Sequence, residues 1–129
     1  MIVLDTHAWL WWLAEPRKLS RAARAAIDGA QRVGVPTICC WEVAMLTAKG
    51  RIRLDRDVRA WIAQALAPDR IAPVSLDNRI AVDAALLDGE GAPQDPADRI
   101  ILATARRHGG QLVTRDEHLR EFEPGRTVW

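Results

Sequence analysis

Cysteine is scarce in this chain, and the two residues present, Cys39 and Cys40, are adjacent. A vicinal disulfide is rare and strained, and this spacing builds neither a disulfide framework nor a cysteine metal site. Both read as small buried hydrophobes in a reducing compartment. Lysine is nearly absent too: of 18 basic residues only Lys18 and Lys49 are lysines, and the rest are arginines. Arginine grips phosphate and carboxylate bidentately, although GC-rich coding enriches it equally well. No apolar run is long enough to span a bilayer, and no basic stretch or cleavage site marks the N-terminus, which excludes a membrane protein and points to the cytoplasm. A net charge of +1 does not by itself announce a nucleic-acid partner. No His is paired with a Ser or Cys in a recognisable arrangement, so triad chemistry has no support. There is no internal repeat, low-complexity segment or long linker, and residues 1–129 read as a single domain.

Short apolar runs alternate with helical patterns. Ile2-Val3-Leu4, Val33-Gly34-Val35, Ile71-Ala72-Pro73-Val74 and Leu112-Val113-Thr114 read as buried strands, and Thr127-Val128-Trp129 as a possible fifth. Pro73 belongs on a sheet edge, where its missing N–H is harmless. Between the strands, Asp5, Ser20, Asp55 or Asp57, Asp77 and Asp95 stand where helices begin, and Gly50 and Gly109-Gly110 where two of them stop. Strands alternating with helices predict an α/β fold, a short parallel sheet of four to five strands covered by helices on both faces. Trp9, Trp11 and Trp12 crowd one helix, and Trp41 and Trp61 join them. Three tryptophans in four positions predict that Trp11 or Trp12 faces an apolar patch for a partner, with stacking on nucleic-acid bases as the weaker alternative for a helix this apolar.

Four acids occupy equivalent topological positions. Asp5 follows the first strand and Asp116 the fourth, while Glu42 and Asp98 lie near the starts of two helices. Strand ends and helix starts meet at one rim of a parallel sheet, where such folds bind ligands. Each acid also has a plain reading: Asp5, Asp95 and Asp116 as helix caps, and Asp98 in a capping box. Glu42 is the exception, an acid in the apolar stretch Cys39-Cys40-Trp41 and Val43-Ala44-Met45-Leu46, where an unpaired carboxylate is costly. Four gathered carboxylates suit a hard cation, Mg²⁺ or Mn²⁺, and phosphoryl-transfer chemistry on a polyanion. Arg99 and Arg115 flank two of the acids and either grip phosphate or neutralise the cluster.

The strings Val3-Leu4-Asp5-Thr6-His7, Trp41-Glu42-Val43-Ala44, Asp95-Pro96-Ala97-Asp98-Arg99 with Ala103-Thr104-Ala105, and Leu112-Val113-Thr114-Arg115-Asp116 resemble, in order and spacing, the PIN-domain ribonucleases, specifically the VapC-type toxins of toxin–antitoxin pairs. The resemblance runs the length of the chain. It implies a PIN-like three-layer sandwich and Mg²⁺-dependent endoribonuclease activity, with Mn²⁺ able to substitute. It further implies metal-binding acids at Asp5, Glu42, Asp98 and Asp116, a homodimer, and a small cognate antitoxin that occludes the site. Asp95 is an extra acid, either a further ligand or a cap. Cys39 stands where the family often has Ser or Thr. Two rivals remain: a catalytically silent PIN module that only binds a partner, and a phosphoacceptor receiver domain. The receiver needs a paired acid beside the first strand and a lysine after a late strand, and Arg115-Asp116 stands in that late place.

Overall fold

Val3, Leu4, Val33, Val35, Leu112 and Val113 are fully enclosed, as expected of β-strands covered on both faces. The computed structural model, which describes residues 1–129, arranges five strands in one parallel sheet: β1 (Ile2–Leu4), β2 (Val33–Pro36), β3 (Ile71–Val74), β4 (Leu112–Val113) and β5 (Thr127–Val128). Their spatial order is β3-β2-β1-β4-β5. Register follows from pairs such as Val3 with Gly34 on one side and Val3 with Leu112 on the other. Pro73 lies on edge strand β3, as its missing donor requires.

Seven α-helices connect the strands: α1 (Thr6–Ala14), α2 (Arg21–Gly29), α3 (Thr37–Ala48), α4 (Val58–Ala65), α5 (Asn78–Leu86), α6 (Pro96–Arg107) and α7 (Glu117–Phe122). Six begin with a side-chain cap: Asp5, Ser20, Asp57, Asp77, Asp95 and Asp116 each accept a hydrogen bond from a backbone N–H of the following turn. Such caps satisfy donors that the helix itself leaves free. Helix α3 begins instead at Pro36, with no side-chain cap. Gly50 and Gly109, with φ of 68° and 65°, end α3 and α6 in the left-handed region. Helix α6 packs against β1, α3 against β2, and α2 against β4 and β5. No helix is long and apolar enough to cross a membrane.

The chain runs from β1 outward to β2 and β3, then crosses back to β4 on the other side of β1. The direction of winding therefore reverses between β1 and β4. At such a switch point the loops leaving adjacent strands diverge and open a crevice at the carboxyl ends. This order also differs from the 2-1-3-4-5 order of the receiver fold.

The tryptophan expectation needs correcting. Trp9 is fully buried, Trp11 is only 9% exposed and Trp12 is half-buried beneath Arg70, whose guanidinium lies 5.5 Å from its ring. The tryptophan in solvent is Trp41, 60% exposed. A helix can bury three tryptophans in four positions when it is enclosed on several sides. Here Lys18, Arg115 and Trp129 close over Trp11, and Trp61 packs edge-on against Trp9 at 5.2 Å.

Gly110 sits where α6 turns into β4. A Cβ there would lie 2.2 Å from the carbonyl oxygen of Met1, a backbone atom that cannot step aside. Gly110→Ala should therefore destabilise the fold by about 1–3 kcal/mol in a urea titration. Gly29→Ala, at the open end of α2 with nothing within 4 Å, should be neutral or slightly stabilising.

Candidate active site

Asp5 leaves β1 at the switch point and is 8% exposed. Its Oδ1 accepts the N–H of Thr6 at 2.7 Å, capping α1, and its Oδ2 accepts the hydroxyl of Thr114 at 2.6 Å. Burial pushes its carboxyl above the ordinary value, and these two hydrogen bonds oppose the shift. Thr114, fully buried after β4, also accepts the N–H of Asp116 at 3.0 Å. One hydroxyl thus ties together the two acids that follow neighbouring strands. Asp116 caps α7 through Oδ1, which accepts the N–H of Leu119 at 2.8 Å.

The other two acids come from helices. Glu42 reaches in from α3, and its Oε1 accepts the hydroxyl of Thr6 at 2.5 Å. Burial raises its pKa, the Thr6 bond lowers it, and the charges of Asp5 and Asp95 raise it further. Asp98 lies in the first turn of α6. Its N–H donates to Oδ1 of Asp95 at 3.1 Å, while its own carboxylate accepts no hydrogen bond from the protein. Its pKa is pushed up to about 8, first by burial and then by Asp5, Asp95, Asp116 and Glu42. All four acids of the sequence reading line one open cavity of about 540 Å³.

The flanking residues divide. Arg115 lines the cavity. Arg99 turns away and does not line the cavity: its Nε donates to the Pro93 carbonyl at 2.6 Å and its Nη2 pairs with Asp88 at 2.8 Å. Asp95 is the α6 cap and does not line the cavity, although its charge is felt by Glu42 and Asp98. Sequence reading missed Thr6 and Thr114, which hold the acids, and Arg120, His7 and Trp129, which share the cavity wall. Arg120 follows Asp116 by one helical turn, a spacing that would have found it.

The donor set fits a hard divalent cation. Every group is a carboxylate that lines the cavity; Asp5, Glu42 and Asp116 are anchored by hydrogen bonds and the carboxylate of Asp98 has none. The four acids line the cavity without closing into a cage, for no three metal-ligating side chains are grouped tightly enough to hold an ion as they stand. Like charges repel at short range, and a closed cage needs a cation to offset them.

Because Asp98 ionises less readily folded than unfolded, the native state holds a proton that the unfolded chain has lost between about pH 4 and pH 8. Its contribution to stability therefore falls as pH rises through that window. Asp98→Asn should melt higher than the parent in metal-free buffer, by about a few degrees at pH 8, with the gap closing toward pH 4. A gap independent of pH would contradict the buried acid cluster.

The PIN domain family model matches residues 2–123. Ribonuclease VapC22 of Mycobacterium tuberculosis is 40% identical over 99% of this chain and 98% of its own length. Among solved structures, VapBC2 from Rickettsia felis bound to a DNA fragment from its promoter superposes with a TM-score of 0.65 at 13% identity, over 95% of this chain and 93% of that one. A toxin–antitoxin complex from Klebsiella pneumoniae superposes with a TM-score of 0.64 at 22% identity, over 92% and 90%. At those identities the structures speak for the fold, while the family model covers most of the chain and the mycobacterial relative nearly all of it: this chain belongs to the PIN domain family.

Proposed function

We propose that this chain, as a single nuclease domain, is a VapC-type endoribonuclease that depends on a divalent cation and acts as the toxin of a toxin–antitoxin pair. The observation that carries the reading is the convergence of Asp5, Glu42, Asp98 and Asp116 on one cavity at the switch point of the sheet. The ribonuclease relative, similar over nearly the whole chain, supports the same conclusion.

Asp5, Asp98 and Asp116 would hold Mg²⁺ or Mn²⁺, with Glu42 completing the set or orienting the attacking water. A bound cation supplies a lowered water pKa and an offset for charge developing on the phosphate. The protein's own work is positional. Thr114 fixes Asp5 and the turn carrying Asp116, and Thr6 fixes Glu42. With one Glu42 oxygen held by Thr6, the other is left for a water proton. Arg115 and Arg120 on the wall attract a polyanion to a floor that would otherwise repel it.

The wild type should cleave RNA in Mg²⁺ or Mn²⁺. Asp98→Asn or Asp5→Asn should lower the rate by at least about 100-fold without unfolding the chain. Glu42→Gln should lose most activity with little loss of stability. Saturating Mn²⁺ should raise the wild-type Tm. A Tm rise without cleavage of any RNA would favour the silent binding module, and neither response would remove the metal site altogether.

We further propose a small antitoxin partner and a homodimer in the cytoplasm. Several of the solved structures that superpose are toxin–antitoxin complexes, which supports the partner. The exposed large apolar side chains include Trp41 on α3 and, one turn apart on α5, Val82 with Leu86. Isolated apolar groups of this size are ordinary, but paired ones mark contact surfaces. Trp41→Ser should weaken inhibition by a co-expressed antitoxin more than it weakens cleavage. Leu86→Glu should shift light scattering from dimer to monomer. Unchanged inhibition and unchanged mass would withdraw both surfaces.

A further inference from the structure

One wall of the acidic cavity is aromatic. Three rings stand in a row there, with His7 and Trp11 centroids 5.3 Å apart and Trp11 and Trp129 centroids 6.0 Å apart. Trp11, the middle ring, is nearly buried, whereas His7 is exposed and Trp129 half-buried. All three line the same cavity as the four carboxylates. The guanidinium of Arg115 lies 5.4 Å from the Trp11 ring, so the cation and the aromatic row form one surface.

The cations on this wall are unspent. Arg56, Arg99, Arg106, Arg107 and Arg126 each pair with a carboxylate within 4 Å. Exposed Arg115 and Arg120 make no ion pair, although Asp116 and Glu117 adjoin them and Glu117 shares the wall. Two free guanidiniums beside four acids do not serve local charge balance. They suit an anion brought from outside. Rings beside unpaired guanidiniums, in the same cavity as the carboxylates, form the surface that a single-stranded nucleic acid requires: rings for bases, cations for phosphates.

We propose that His7, Trp11 and Trp129, with Arg115 and Arg120, form a nucleotide subsite in which an unpaired base stacks on the accessible ring of Trp129 or His7 while the arginines hold the phosphates flanking the scissile bond. The proposal rests on the nuclease reading and adds to it the residues of this chain that would take an unstacked base and its flanking phosphates. A base in a duplex is already stacked on both faces and cannot use the rings. Trp11 acts behind them, as the support that holds Trp129, His7 and Arg115 in register.

The test is fluorescence anisotropy with a labelled decameric oligo(A) and its counterpart carrying abasic sugars, both in Ca²⁺ buffer, with cleavage of the same oligomer and of total RNA followed separately in Mg²⁺. The wild type should bind the intact oligomer about 5- to 100-fold more tightly than the abasic one. Trp129→Leu, which keeps apolar cover over Trp11, should shrink that gap to less than about twofold, and Trp129→Phe should restore most of it. Arg115→Gln should weaken both oligomers alike, keep the gap and reduce the slope of log Kd against log salt by about one. The absence of a gap in the wild type, or an undiminished gap in folded Trp129→Leu, overturns the subsite. So does an undiminished gap in a Trp129→Leu variant that has lost inhibition by the antitoxin, which would assign the wall to the protein partner. Cleavage without a gap removes the subsite and leaves the nuclease standing, whereas a gap without cleavage of any RNA removes the nuclease and leaves the subsite.

Discussion

Four carboxylates share one end of this molecule, and most of its local structure answers to their mutual repulsion. Burial raises the pKa of Asp5, Glu42 and Asp98, and in Asp98 all four neighbouring acids add to that effect. The fold restrains the cluster with neutral donors instead of salt bridges. Thr6 and Thr114 each give a hydroxyl to one acid, and the N-termini of α1 and α7 give backbone donors to Asp5 and Asp116. Hydrogen bonds of this kind stabilise a carboxylate without cancelling its charge. An ion pair would cancel it, and the arginines that do form ion pairs lie elsewhere. The charge is thereby kept, as the proposed cation site requires.

The core makes this arrangement affordable in free-energy terms. Twenty-six buried residues from every layer form one contiguous cluster that runs under the cavity. Val3 and Leu4 lead directly to Asp5, Val113 leads to Thr114, and Val43 follows Glu42, so each functional group is a short step from a fully enclosed side chain. A rigid apolar base fixes the acids well enough for hydrogen bonds to control their orientation, which is the preorganisation that catalysis on a charged substrate requires.

Much of this was legible in the sequence because it depends on local rules. Short apolar runs gave the strands, Asp and Ser at helix starts gave the caps, and Pro73 gave an edge. The shared placement of the four acids followed from the same logic, since strand ends and helix starts meet at one rim. The remainder depends on contacts distant in sequence. Thr114 meets Asp5 across 109 positions, and Thr6 meets Glu42 across 36, so neither threonine stood out from its own neighbours. Arg99 adjoins an acid in sequence, yet the helix turns it toward Pro93 and Asp88. The tryptophans misled for a related reason: Trp11 is covered by Trp129, the residue farthest along the chain, and no helical period reports that.

The central claim is that the acids form one cation site that includes Asp98. The most direct measurement is a calorimetric titration of Mn²⁺ at pH 7, repeated in two buffers with different heats of ionisation. With a pKa of about 8, Asp98 is largely protonated at pH 7 and must lose its proton to become a ligand. The account predicts saturable binding that releases close to one proton per site, with the release fading above about pH 9. Saturable binding without proton release would contradict the place of Asp98 at the centre of the site, and no binding at millimolar Mn²⁺ would contradict the site itself.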